Sequence, residues 1–66
     1  MKEYYRSPYG CTASINVAKV SGRARLCVRV PQGDIVHSKT YDTYRGAKTA
    51  MGKYFEGMYE LTGKEN

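Results

Sequence analysis

The segment Gly22–Val30, GRARLCVRV, alternates without a break. Ala24, Leu26, Val28 and Val30 share one parity, and Arg23, Arg25, Cys27 and Arg29 the other. Successive side chains of a strand point to opposite faces, so this pattern demands a strand with one face buried and one in solvent. The rest of the chain must cover the apolar face. The three arginines on the other face need a separate account.

Residues 11–20, CTASINVAKV, repeat the alternation, with Cys11, Ala13, Ile15 and Val17 on one side and Thr12, Ser14 and Asn16 on the other. Ser21-Gly22 reads as a tight turn between these two strands. Pro31 to Asp34, PQGD, is a second turn, because Pro presets φ and Gly supplies a positive φ. A third strand, IVHSKTY, runs from Ile35 to about Tyr41. Its mixed facing, with Ile35 and Tyr41 on one parity and Val36 on the other, suggests a bulge. From Thr43 the apolar period changes to that of a helix. Tyr44, Ala47, Met51, Tyr54, Met58 and Leu61 form one stripe, capped by Asp42 or Thr43 and stopped at Gly63. The expected fold is α+β: a three-stranded antiparallel meander packed on one C-terminal helix, β-β-β-α. Residues 1–10 are expected to form an N-terminal arm, 11–62 the single domain and 63–66 a tail. The expected core is Ile15, Val17, Leu26, Val28, Met51, Tyr54 and Met58.

A two-residue turn at Ser21-Gly22 would set Val20 against Arg23, Val17 against Leu26 and Ile15 against Val28. Both strands then send their apolar sets to the same side. The open face would carry Arg23, Arg25 and Arg29 beside Thr12, Ser14 and Asn16, with no carboxylate among them. In the same register Cys11 points inward and Cys27 outward, so two free thiols are expected, in keeping with a reducing compartment. Two such cysteines and the lone His37 do not converge as metal ligands do, and no metal or other cofactor is expected. His37 reads as an ordinary strand residue.

The chain has 66 residues, which allows one domain with a small core. No apolar run approaches a membrane span and no leader is read at the N-terminus, so a cytoplasmic setting without membrane contact is expected. The formal charge of +5 suits an anionic partner. There is no Ser-His-Asp set, no paired carboxylates and no phosphate loop of the Walker type, so the protein is read as a non-enzyme with no catalytic residue. Arg45 and Lys48 stand in the first turns of the expected helix, where its dipole disfavours cations. A basic sheet beside a basic helix start would hold phosphate.

The run ARLCVRVPQGDIVHSKTYDTYRGAKTAM resembles the three-stranded-sheet-plus-helix DNA-binding domains, namely the plant AP2 domain and the N-terminal arm-site domain of tyrosine recombinases. The shared features are the alternating basic strand from Arg25 to Val30, the turn at Gly33, the aromatic Tyr41, and Thr43 with Ala47 entering the helix. The resemblance implies a sheet face laid in the major groove of DNA. It implies contacts from Arg23, Arg25 and Arg29 on the second strand, Ser14 and Asn16 on the first, and Lys39 on the third. With Arg45 and Lys48 these form the expected nucleic-acid-binding set. The expected role is a small DNA-binding accessory or regulatory module of a phage or mobile element. The alternative is a small inhibitor or adaptor that docks its basic sheet face on an acidic protein. A second copy of the chain is a further candidate partner. The plain reading of the arginines is a polar solvent face whose long stems cover the sheet.

Overall fold

The structure is a computed structural model that describes residues 1–65. Five strands and one helix follow in the order β1 (Lys2–Arg6), β2 (Thr12–Val17), β3 (Ala24–Arg29), β4 (Ile35–Tyr41), α1 (Tyr44–Phe55) and β5 (Glu60–Glu65). The strands form one antiparallel sheet in the order β4-β3-β2-β1-β5. This corrects the expected three-stranded meander. The segment read as an N-terminal arm contains β1, paired to β2, and residues 63–65 of the segment read as a tail belong to β5, paired to β1, while residue 66 lies outside the described residues.

The first hairpin follows from Ser7-Pro8-Tyr9-Gly10. Ser7 accepts from the Gly10 N–H, Pro8 fixes the second position, and Gly10 takes φ 87°. The Ser7 N–H then donates to Cys11 O and the Ser7 hydroxyl accepts from the Cys11 N–H, which closes the loop. The second hairpin is longer than a two-residue turn. Ala18 and Arg23 close it, with Gly22 at φ 75° donating back to Ala18 O. Ile15 therefore faces Leu26, and Val17 faces Ala24. The register differs from the expected one by two residues. A shift of two keeps every side chain on its own face, so the division into apolar and basic faces survives. The third turn is the Pro31–Asp34 turn read from the sequence, with Gly33 at φ 99°. Val36 is the extra residue of a bulge between the pairs Val28–His37 and Arg29–Ile35.

Thr43 caps α1 by accepting the Gly46 N–H at 3.0 Å. The helix stops at Phe55, short of the expected Leu61. Glu56 turns left-handed at φ 52°, Gly57 follows at φ 77°, and the Gly57 N–H returns to Gly52 O. That six-to-one closure ends a helix whose own glycines already weaken it. The helix lies over β2, β3 and β4 and leaves β1 and β5 without helical cover.

The core between helix and sheet is Tyr5, Ala13, Ile15, Ala24, Leu26, Val28, Ala47, Met51 and Phe55. Of the expected core, Ile15, Leu26, Val28 and Met51 are buried and Val17 is half-buried, while Tyr54 and Met58 are exposed. Tyr54 sits at the rim of the helix face, and Met58 lies beyond the helix end.

Candidate functional site

The face of the sheet away from the helix is built in three rows that cross the strands. The middle row is Gly63, Tyr4, Ser14, Cys27 and Ser38. On one side stands the row Glu65, Lys2, Asn16, Arg25 and Thr40, and on the other Glu60, Arg6, Thr12, Arg29 and Ile35. Apart from Tyr4 the middle row is made of small side chains, whereas both flanking rows carry cations. The face is therefore a shallow trough with a mostly small, neutral floor and cationic walls. A cleft of about 550 Å³ opens here, floored by Tyr4, Ser14, Cys27 and Gly63, with Lys2 and Arg29 at its two sides.

The arginines of β3 are held without being neutralised. Arg25 Nη2 donates to Ser38 Oγ at 2.8 Å, and Arg29 Nη1 donates to Gly33 O at 3.0 Å. Both acceptors are uncharged. The acids on this face lie only on β5. Glu60 pairs with Arg6 at 3.0 Å, the one salt bridge among the described residues, and Glu65 accepts from the Tyr4 hydroxyl. The Lys2 ammonium stands over the Tyr4 ring, 5.3 Å from its centroid.

Of the residues singled out from the sequence, Ser14, Asn16, Arg25 and Arg29 meet on this face. Arg23 lies outside the ladder, at the closing pair of the β2–β3 loop. Lys39 pairs with Leu26 and so stands on the helix side, its ammonium 5.2 Å from the Tyr41 ring centroid. The bulge at Val36 does not alter that, because it lies before the Val28–His37 pair. Arg45 is exposed in the first turn of α1. Lys48 points to the helix side of β1. Lys2, Tyr4 and Arg6 were missed, since they belong to a strand that the sequence reading treated as an arm. The alternation of Lys2, Tyr4 and Arg6 against Glu3 and Tyr5 was present, but a carboxylate on the inward parity disguised it.

Glu3 explains itself through Lys48. It is 7% exposed, and its carboxylate accepts from Tyr5 at 2.8 Å and from Tyr44 at 2.6 Å. Lys48 lies among the rings of Tyr5, Tyr44 and Tyr59, with centroids 5.3, 5.6 and 5.9 Å away. This cluster ties the helix to β1, beyond the strands that the helix itself covers. Burial pushes the Glu3 carboxyl up. The hydrogen bonds from Tyr44 and Tyr5 and the charges of Lys48 and Lys64 outweigh that, leaving it below the ordinary glutamate value. Burial and the neighbouring Tyr44 and Glu3 push the Tyr5 hydroxyl well up, so it remains a donor. A carboxyl depressed on folding adds stability that is complete above its unfolded value and is lost as pH falls through its folded value. Between about pH 5 and pH 3, wild type is expected to lose urea resistance more steeply than Glu3→Gln. Parallel falls in the two proteins would show that the cluster carries no proton linkage.

His37 joins β4 to the helix, with Nε2 2.9 Å from the Tyr41 hydroxyl and Nδ1 2.9 Å from that of Tyr54. Cys11 and Cys27 are free thiols, both half-buried. Among the described residues no three His, Cys, Asp or Glu side chains converge as a metal site, and no helix is long and apolar enough to cross a membrane. No family model matches the chain, and the searches of curated proteins and of solved structures find no match.

Proposed function

We propose that the protein binds nucleic acid, DNA in the first instance, through the open face of its sheet, as an accessory or regulatory module. One observation carries the reading. Arg25 and Arg29 are fixed on β3 by uncharged acceptors, and no carboxylate stands among their partners on β2 and β4. Exposed polar faces ordinarily intersperse both signs. Here the acids are confined to the β5 edge, where Arg6 and Tyr4 engage them. The neighbouring Ser14, Asn16, Thr12 and Thr40 supply neutral donors and acceptors, the complement that phosphate and base edges need. The chain's +5 charge adds a long-range attraction of the same sign.

The test is fluorescence anisotropy with labelled DNA at about 50 and 200 mM salt. Binding should weaken steeply with salt, because each phosphate neutralised releases counterions. Salt-independent binding, or none, would overturn the reading and favour an acidic protein partner.

A further inference from the structure

We infer that the ligand of this face is a single strand of nucleic acid crossing the β-strands along the trough, with a base stacked on Tyr4. The inference rests on the open-face reading above and narrows it. A duplex does not suit the surface. Neighbouring strands lie about 4.8 Å apart, so three strands span about 10 Å but five span about 19 Å. The major groove is about 12 Å wide, and a five-stranded face cannot enter it as a three-stranded one can.

A single strand fits the rows. The two walls stand four residues apart on β1, β2 and β3, roughly 13 Å from Cα to Cα. That width admits one sugar-phosphate backbone with its bases but not two backbones. The small floor residues Ser14 and Cys27 let flat groups approach the sheet. Arg25 and Arg29 offer phosphate contacts from β3, two strands and about 10 Å from Tyr4. Tyr4 is half-buried and backed by Gly63, where an added Cβ would come within 3.4 Å of the ring. Its hydroxyl is anchored by Glu65, so the ring is a positioned platform instead of a free side chain. Stacking on an aromatic tolerates any base, which suits a face with few base-reading groups.

The closing experiment compares an oligothymidylate of about fifteen nucleotides with the same strand annealed to oligoadenylate. The single strand should bind at least about tenfold more tightly. Bound single strand should also shield Cys27, on the trough floor, from N-ethylmaleimide and leave Cys11 reactive. Tyr4→Ala should weaken single-strand binding about 5- to 150-fold, and Tyr4→Phe, which keeps the ring, should recover it. Equal or tighter duplex binding would overturn the single-strand assignment and leave the open-face reading standing. Single-strand binding without protection of Cys27 would overturn the trough. No binding to either probe would overturn both. The comparison of probes and the thiol protection use the wild-type chain, so they decide the matter even if Tyr4→Ala fails to fold.

Discussion

Replacing Arg25 and Arg29 together by Ala is expected to weaken binding to a single strand by about two to four orders of magnitude. Each guanidinium that meets a phosphate makes a charge-assisted hydrogen bond worth about 1.5–3 kcal/mol, or about one to two powers of ten. The same change should flatten the plot of log affinity against log salt by about 1.4 units, since each single-strand phosphate contributes about 0.7. Folding should be unaffected. Both side chains are exposed, and their present partners, Ser38 Oγ and Gly33 O, lie at the surface. Lys39→Ala is the internal control, because it removes one positive charge from the opposite side of the sheet. Its slope should match wild type. If Lys39→Ala loses half as much log affinity as the double variant, binding is a property of net charge and the sheet has no binding face.

The contrast between Arg25 and Lys39 shows what the sequence could and could not decide. In β2 and β3 the alternation is unbroken, and a face assignment depends only on parity. It therefore survived an error of two residues in the hairpin register. In β4 the bulge at Val36 reverses parity only before His37, so the apolar Ile35 goes to the open face, while Lys39 keeps the parity of Tyr41 and stands on the helix side. A bulge was legible at Ile35 and Val36, but the facing of the rest of β4 required knowing that the extra residue precedes His37. β1 was hidden for a different reason. Its inward positions are Glu3 and Tyr5, and a carboxylate at a core position makes sense only once Tyr44 and Lys48 arrive from the helix, 41 residues on for the Tyr44 contact. The turn after β1, Ser-Pro-Tyr-Gly, carries Pro and Gly but was read as part of the arm. It names a hairpin but not the strand before it.

β5 was masked by the helical stripe. Met58 and Leu61 continue the three-and-four spacing of Ala47, Met51 and Tyr54, so period alone prolongs the helix through Gly57. The chain instead leaves the helix at Glu56, and β5 forms because β1 presents an unpaired edge. The strand ELTGKE has no strong strand preference of its own. Its pairing even needs a bulge at Thr62, whose hydroxyl donates to Tyr4 O. Tertiary context decides this element, and the open face acquires Glu60 and Glu65 with it. The cationic character of the face is therefore graded, strongest at β3 and offset at β5.

Leu26 gives the largest expected stability effect, and Leu61, the leucine that separates the competing architectures, is its counterpart. Leu26 is fully buried, flanked in the sheet by Ile15, and faces the helix residues of the core. Leu61 is 52% exposed on β5, where α1 does not reach. Leu26→Ala should cost about 2–5 kcal/mol, from the lost burial and the cavity left behind. A 66-residue domain has only about 3–10 kcal/mol to lose. The variant should therefore lose a large share of its stability, read as a urea midpoint moved to much lower concentration and followed by circular dichroism. Leu61→Ala should cost less than about 1 kcal/mol, since half of the side chain is already in water. Had the helix run on to Leu61 as its period suggests, that leucine would lie in the core and the two substitutions would cost alike. Equal losses would thus restore the long helix and remove β5. With β5 would go the Tyr4 platform, its Gly63 backing and the acidic end of the trough.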